Sequence, residues 1–378
     1  MVRVFAGLLL ALSVAVPAAA DEVVRVGVIA SMTGPGASMG ALYRSTIDLL
    51  PAEVGGRKVE YVVLDDATDP SIAVKNARKL ATELKVDAIV GPTNVPQSMA
   101  VTEVAHETRT PQLSLAPISP RADRREWVYV VAHGIGLMVD ALVADMRDRG
   151  VKRVAYIGFS DAWGDAVHQA LVAAAAQAGI EIVANERYAR NDTSVTAQML
   201  KIVGQKPDAV LVGASGTPGA LPHSTLARLG YRGPQYNTHG VINRDFLKIG
   251  GRDIEGVIVP SGPVQVFEQL AESNPIRQVA AGFSAKYEDK YGAAARNSFA
   301  PYTYDAFLLL DDAVRRIGKE LAPGTPAFRK ALRDQLEATR NVVGTEAIYT
   351  MSADDHNGMD RRGVVLIHVA DGRWQYLK

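Results

Sequence analysis

The chain contains no cysteine. Disulfides and thiolate metal sites are therefore excluded, and so is a lipid-modified cysteine behind an export signal. An excess of one charge is also missing. Lys and Arg number 41, Asp and Glu number 41, and no basic stripe stands out, which argues against a nucleic-acid partner. The mixed run "RADRREW" (121–127) reads as solvated surface. Long apolar runs are absent after the first 20 residues, "MVRVFAGLLLALSVAVPAAA". These combine Arg3, a 12-residue apolar stretch from Phe5 to Val16 and the small residues Ala18-Ala19-Ala20. A membrane span needs about 20 apolar residues, so residues 1–20 read as a secretory signal peptide with Asp21 as the first mature residue. The expectation is an exported, soluble protein of the periplasm without a lipid anchor.

Several chemical signatures are missing as well. No GxGxxG follows the first strand, so a dinucleotide site has no support. "GASGTPGALP" (213–222) has no Gly-Lys-Ser/Thr and is not a phosphate loop. Neither it nor "GFSDA" (158–162) has the Gly-x-Ser-x-Gly of a nucleophile elbow. The seven histidines are scattered, none at HxxxH or HExxH spacing. "DDHNGMD" (354–360) lacks the calcium-loop pattern and reads as a hairpin turn. Asp65, Asp66 and Asp69 in "LDDATD" read as loop and capping residues. Neither a metal, a cofactor nor a catalytic residue is expected.

What is present is a long alternation. Apolar strands such as "VVRVGVIA", "KVEYVVLDD", "VDAIVG", "KRVAYIGF" and "PDAVLVG" are separated by helical stretches such as "DPSIAVKNARKLATEL" and "AWGDAVHQALVAAAAQAG". This predicts an α/β protein with parallel sheets covered on both faces. The series is too long for one sheet and breaks near 135, which implies two α/β lobes. No low-complexity linker separates them, so the chain should cross between them more than once. The end, from 344, reads as β-rich with turns at 354–358 and 371–372.

In open parallel sheets ligands lie beyond the carboxyl ends of the strands. That rule selects the loops "SMTGPGASMG", "GPTNVPQ", "LAPISP", "FSDAWG", "GASGTPG" and "NTHGV". In the second, a helix N-terminus suited to an anion stands beside Thr93, Asn94 and Gln97. Trp163 begins a helix just after a strand and is placed to cover a ligand. Ser215 and Thr217 offer hydroxyls, and His239 follows the short strand Gln235–Asn237.

Taken in order, "VGVIASMTGPGASMG", "GRKVEYVVLDDATDPSIAVKNARKL", "DAIVGPTN", "AYIGFSDAWGDAV" and "DAVLVG" resemble the leucine/isoleucine/valine-binding proteins, type I periplasmic solute receptors of ABC importers. The resemblance covers nearly the whole mature chain. It implies two Rossmann-like lobes joined by three hinge crossings near 137, 263 and 350, closing on a ligand in the cleft. The N-terminal lobe would comprise 21–137 plus 264–349, the C-terminal lobe 138–263 plus 350–378. Carried over position by position, the ligand contacts would be Met39; Thr93, Asn94 and Val95, around a carboxylate; and Ala116, Pro117 and Ile118, where backbone groups replace the hydroxyls usual in the family. On the other lobe they would be Trp163, Ser215, Gly216 and Thr217, with Phe299 as a further apolar contact.

In the amino-acid-binding members a carboxylate pairs with the ligand ammonium at the position of His239. "QYNTHGV" holds no acid. A desolvated ammonium without a carboxylate costs several kcal/mol, so the resemblance is to receptors of a carboxylate that lacks the ammonium. Trp163, Phe299 and Met39 suit a flat apolar ring. The segment "GTPGALPHSTLARLGYRGPQYNTHGVINRDFL" is similar to the branch that takes up aromatic acids, such as hydroxybenzoates and phenylpropenoids. The implied partners are a small aromatic carboxylate and the membrane permease of an ABC transporter, with a monomer as the family expectation. Alternatives stay open: a branched-chain or other amino acid as ligand, a periplasmic sensory module, or an enzyme pairing His239 with Ser215 or Thr217.

Overall fold

The structure, a computed structural model, describes residues 23–377; the expected signal peptide lies outside them. The first half of the alternation runs β1 (Val24–Ala30), α1 (Ala37–Ile47), β2 (Glu53–Val54), β3 (Arg57–Asp65), α2 (Pro70–Arg78), β4 (Ala88–Val90), α3 (Val95–Thr108), β5 (Gln112–Ser114) and β6 (Val128–Val130). These strands form a six-stranded sheet in the order β2-β3-β1-β4-β5-β6. It is parallel except for the β2–β3 pair. The second half runs α4 (Ile135–Asp148), β7 (Arg153–Phe159), α5 (Ala162–Ala178), β8 (Glu181–Tyr188), α6 (Thr196–Gly204), β9 (Ala209–Gly213), α7 (Ala220–Arg228), β10 (Gln235–Asn237), α8 (Arg244–Gly250) and β11 (Ile258–Ser261). Helices α9 (Pro275–Tyr291), α10 (Ala300–Ile317) and α11 (Pro326–Glu337) follow, then the short pair β12 (Val342–Val343) and β13 (Ile348–Tyr349). The hairpin β14 (Val365–Ala370) and β15 (Arg373–Tyr376), turning at Asp371-Gly372, completes a seven-stranded sheet, β15-β14-β11-β10-β9-β7-β8.

The strands are legible because both faces are covered. Every residue of β4, β5, β9 and β11 is buried, and a parallel sheet between helix layers leaves no polar face to alternate with. The helices start where the sequence places short polar caps. Asp69 accepts the N–H groups of Ser71 and Ile72 ahead of α2, and Asp161 accepts those of Trp163 and Gly164 ahead of α5. Gly164 is needed there, since a Cβ on it would stand 1.9 Å from the carbonyl oxygen of Phe159. That close approach sets Trp163 directly at the end of β7.

Phe299, Tyr302 and Leu309 from the α10 region pack with Val24, Val26 and Val28 of β1, so this stretch joins the first sheet although it follows the second in sequence. The chain thus passes between the two bodies after β6, after β11 and before β14. The last passage comes later than the 350 read from sequence. His356 stacks on Tyr129 with ring centroids 4.5 Å apart, Val130 N donates to His356 O at 2.9 Å, and Asn357 donates to Val130 O and Ala132 O. These bonds hold the segment against β6. "DDHNGMD" is a turn closed by Asp355, which accepts the N–H groups of Asn357 and Gly358. It does not join two strands of a hairpin. Among the described residues no acid or histidine cluster suits a metal, and no helix is long and apolar enough to cross a membrane.

The three passages meet around a buried polar group. His133 bonds the Tyr302 hydroxyl through Nδ1 and Gly363 O through Nε2. Asp305 accepts from Thr345 N and Oγ1, Glu346 N and the Tyr349 hydroxyl. Glu346 is wholly buried, and neither of its oxygens has a hydrogen-bond partner among the described residues. Burial pushes the Asp305 carboxyl up to about 6; burial and the nearby Asp305 push Glu346 well above the usual carboxylate range. Glu346 packs so closely on Gly262 that a Cβ there would lie 1.3 Å from its Oε2.

Candidate ligand-binding site

A narrow cavity of about 20 Å³ lies between the bodies at the carboxyl ends of the strands. Met39 and Tyr43, one helical turn apart on α1, line it together with Thr93, Asn94, Val95, Leu115, Ala116, Pro117 and Phe299. Across from them stand Trp163, Arg190, Ser215, His239 and Gly240. No carboxylate is among these lining residues, and the one permanently charged group is the Arg190 guanidinium.

Arg190 is held on several sides. Its Nε donates to Asp161 Oδ2 at 2.6 Å, its Nη1 donates to Ser215 Oγ at 3.1 Å and to Asn94 Oδ1 at 3.5 Å, and its guanidinium lies 4.3 Å from the centre of the Phe159 ring. Asn94 is the N-cap of α3, yet its side chain makes no capping bond. It donates instead to Ser31 Oγ. The first N–H groups of α3 therefore have no side-chain acceptor, beside a fixed cation. Such a pair attracts an anion.

The other walls are apolar and aromatic. The His239 ring lies 5.9 Å from Trp163, 6.4 Å from Phe299 and 6.2 Å from Tyr302. Burial, reinforced by His133, lowers its pKa to about 3, so it stands neutral at physiological pH. Among the described residues its Nδ1 has no hydrogen-bond partner, nor has Trp163 Nε1.

The structure departs from the sequence reading in three places. Gly216 and Thr217 are not on the cavity wall: Gly216 N donates to Gly240 O, which turns the loop outward, and Thr217 lines the outer cleft. The stretch Ala116–Ile118 after β5 offers no free backbone donor. Ala116 N is taken by Ser114 Oγ, Pro117 has no N–H, and Ile118 N is taken by Ala116 O, so Ala116 and Pro117 present apolar surface. The Ser215 hydroxyl accepts from Arg190 and makes no bond to His239. Arg190, Tyr43, Leu115 and Gly240 were missed. The strand-end rule, applied to the loop after β8, would have found Arg190, and the four-residue helical repeat from Met39 would have found Tyr43.

This architecture, with a cavity between two α/β bodies at the carboxyl ends of their strands, is the type I periplasmic binding protein fold. A sequence model of the family described as periplasmic binding protein matches residues 23–372, and the chain belongs to that family. An extracellular ligand-binding receptor from Rhodopseudomonas palustris HaA2 superposes with a TM-score of 0.92 at 38% identity, over 94% of this chain and 100% of that one. A Leu/Ile/Val-binding protein homolog 3 from Brucella melitensis biotype 1 is 26% identical over 62% of this chain and 66% of its own length, so the match spans just under two thirds of that relative. A solute-binding protein of an ABC transporter from R. palustris, in complex with benzoate, has the same fold, with a TM-score of 0.79 at 22% identity over 94% of this chain and 95% of that one. These relatives are receptors and binding proteins, not enzymes.

Proposed function

We propose that the protein is a periplasmic solute receptor that captures a small aromatic carboxylate, of the hydroxybenzoate or phenylpropenoid type, and delivers it to the membrane permease of an ABC importer. The observation that carries this reading is the charge of the wall: one guanidinium, no carboxylate and a neutral His239. An α-amino acid brings an ammonium that nothing on this wall neutralises, and burying it unpaired costs several kcal/mol. An aromatic acid brings a carboxylate for Arg190 and the α3 N-terminus, and a ring for Trp163, Phe299 and Met39. Glu346, the buried carboxyl behind His133, does not line the cavity. The protein acts as a monomer, and ligand contacts on both lobes favour the closed state. The lobes are 23–137 with 264–357, and 138–263 with the C-terminal strands.

A thermal-shift panel tests the reading. Benzoate, hydroxybenzoates, coumarate and phenylpyruvate are set against leucine, valine and phenylalanine. A ligand at about 100 times its Kd adds about 2.7 kcal/mol, enough to raise Tm by several degrees. A rise with the aromatic acids alone is expected. A rise with leucine or valine alone would sustain the amino-acid reading that the names of the Brucella relatives favour, and overturn this one.

A further inference from the structure

We propose that the cavity fixes its ligand's direction, with the carboxylate at Arg190 and a ring hydroxyl at His239 and Trp163, so that ring-hydroxylated aromatic acids are preferred over unsubstituted ones. This rests on the aromatic-carboxylate reading above. Arg190 lines both the cavity and the outer cleft, where Met32, Asn191 and Ile249 also lie, so the cationic pole is at the mouth. His239 is at the other end. Its ring backs onto Phe299, Tyr302 and His133, the last 6.3 Å away where the passages between the bodies meet.

The hydrogen bonding of the buried histidines singles out this one. His133 has partners at both ring nitrogens, the Tyr302 hydroxyl and Gly363 O. His223 has partners at both, Gln235 Oε1 at 2.8 Å and Asn237 Nδ2 at 2.9 Å. His239 is 4% exposed and makes no side-chain hydrogen bond to any described residue. Trp163, 3% exposed and inclined at 64° to it, leaves its indole N–H without a partner among the described residues as well. Buried polar groups left without partners are costly, and the cavity that both rings line is where a partner would sit. A neutral imidazole offers one donor and one acceptor, an indole one donor. A hydroxyl answers both, donating to the imidazole lone pair and accepting an N–H. An ether only accepts, and a bare ring edge does neither. Because burial holds His239 neutral, the preference does not change with ordinary pH.

Isothermal titration of the protein with benzoate, meta- and para-hydroxybenzoate and para-methoxybenzoate tests this. At least one hydroxybenzoate should bind about tenfold more tightly than benzoate, and the methoxy compound no better than benzoate, at both about pH 5 and about pH 8. His239→Phe should bring the ratio close to one. His239→Gln, which keeps a donor and an acceptor, should retain part of the preference. Equal affinity for benzoate and both hydroxy isomers in the wild type would overturn the inference alone. So would a preference that survives in His239→Phe. Failure of every one of these acids to bind would overturn it together with the aromatic-carboxylate reading.

Discussion

Arg190 reaches the cavity from the loop after β8, and its partner Asp161 is 29 residues earlier in the chain, at the end of β7. The guanidinium is 15% exposed, so water screens it little. A charge-assisted hydrogen bond to such a group contributes about 1.5 to 3 kcal/mol. Arg190→Gln is therefore expected to weaken benzoate binding by roughly 10- to 100-fold and to leave the neutral analogue benzamide almost unchanged, as read by titration calorimetry. An equal loss for both would mean that the wall had been damaged rather than a charge removed. At this scale the sequence was half legible. His239, Trp163, Phe299 and the Thr93–Val95 loop follow from position at strand and helix ends. Arg190 lies two residues beyond β8, within reach of the same strand-end rule; what local pattern does not show is its bonding to Asp161, Ser215 and Asn94, which come from elsewhere in the chain. Thr217 was misplaced because the backbone bond between Gly216 and Gly240 turns its loop outward, a long-range event that local pattern does not encode.

Among the elements, α5 ties packing to recognition. One carboxylate, Asp161, caps the helix through Oδ1 and holds Arg190 through Oδ2. The two roles separate by substitution. Asp161→Asn keeps a competent N-cap, whereas Asp161→Ala loses it at about 1 kcal/mol. Thermal melting should therefore show a lower Tm for the alanine variant than for the asparagine variant, while both lose benzoate affinity because both release Arg190. If Asp161→Asn bound benzoate as tightly as the wild type, the ion pair would have no part in positioning the guanidinium. Elements themselves were well read from sequence, since buried β-branched runs and short polar caps are local signals. The last passage between bodies was not, because it is set by His356 stacking on Tyr129 and by Asn357 bonding the β6 carbonyls, contacts more than 220 residues apart in sequence.

Taken whole, the molecule joins its two bodies around Glu346 and Asp305, carboxyls whose burial favours the protonated form. The folded state holds these protons at pH values where the unfolded chain has released them. Stability from Asp305 is therefore complete below its ordinary 3.8 and is lost as pH rises through about 6; for Glu346 the loss starts above 4.5 and extends to higher pH. The buried histidines act in the opposite sense. His133 and His223, lowered to about 4, and His239, lowered to about 3, weaken the fold as pH falls below 6.5, where the unfolded chain takes up protons first. Glu346→Gln removes one contribution cleanly. Its Tm relative to the wild type should climb steadily from about pH 5 to about pH 8. A constant offset across that range would mean that Glu346 ionises alike in both states.

Arg190 also bears on timing. It lines both the cavity and the outer cleft and reaches Asn94 on the opposite body at 3.5 Å. Under the proposed function a solute at the mouth would meet this side chain, and breaking its Asn94 contact would be a step that capture and escape have in common. Uptake and release would then share one bottleneck, and a receptor of this kind would retain its solute without needing exceptionally strong contacts.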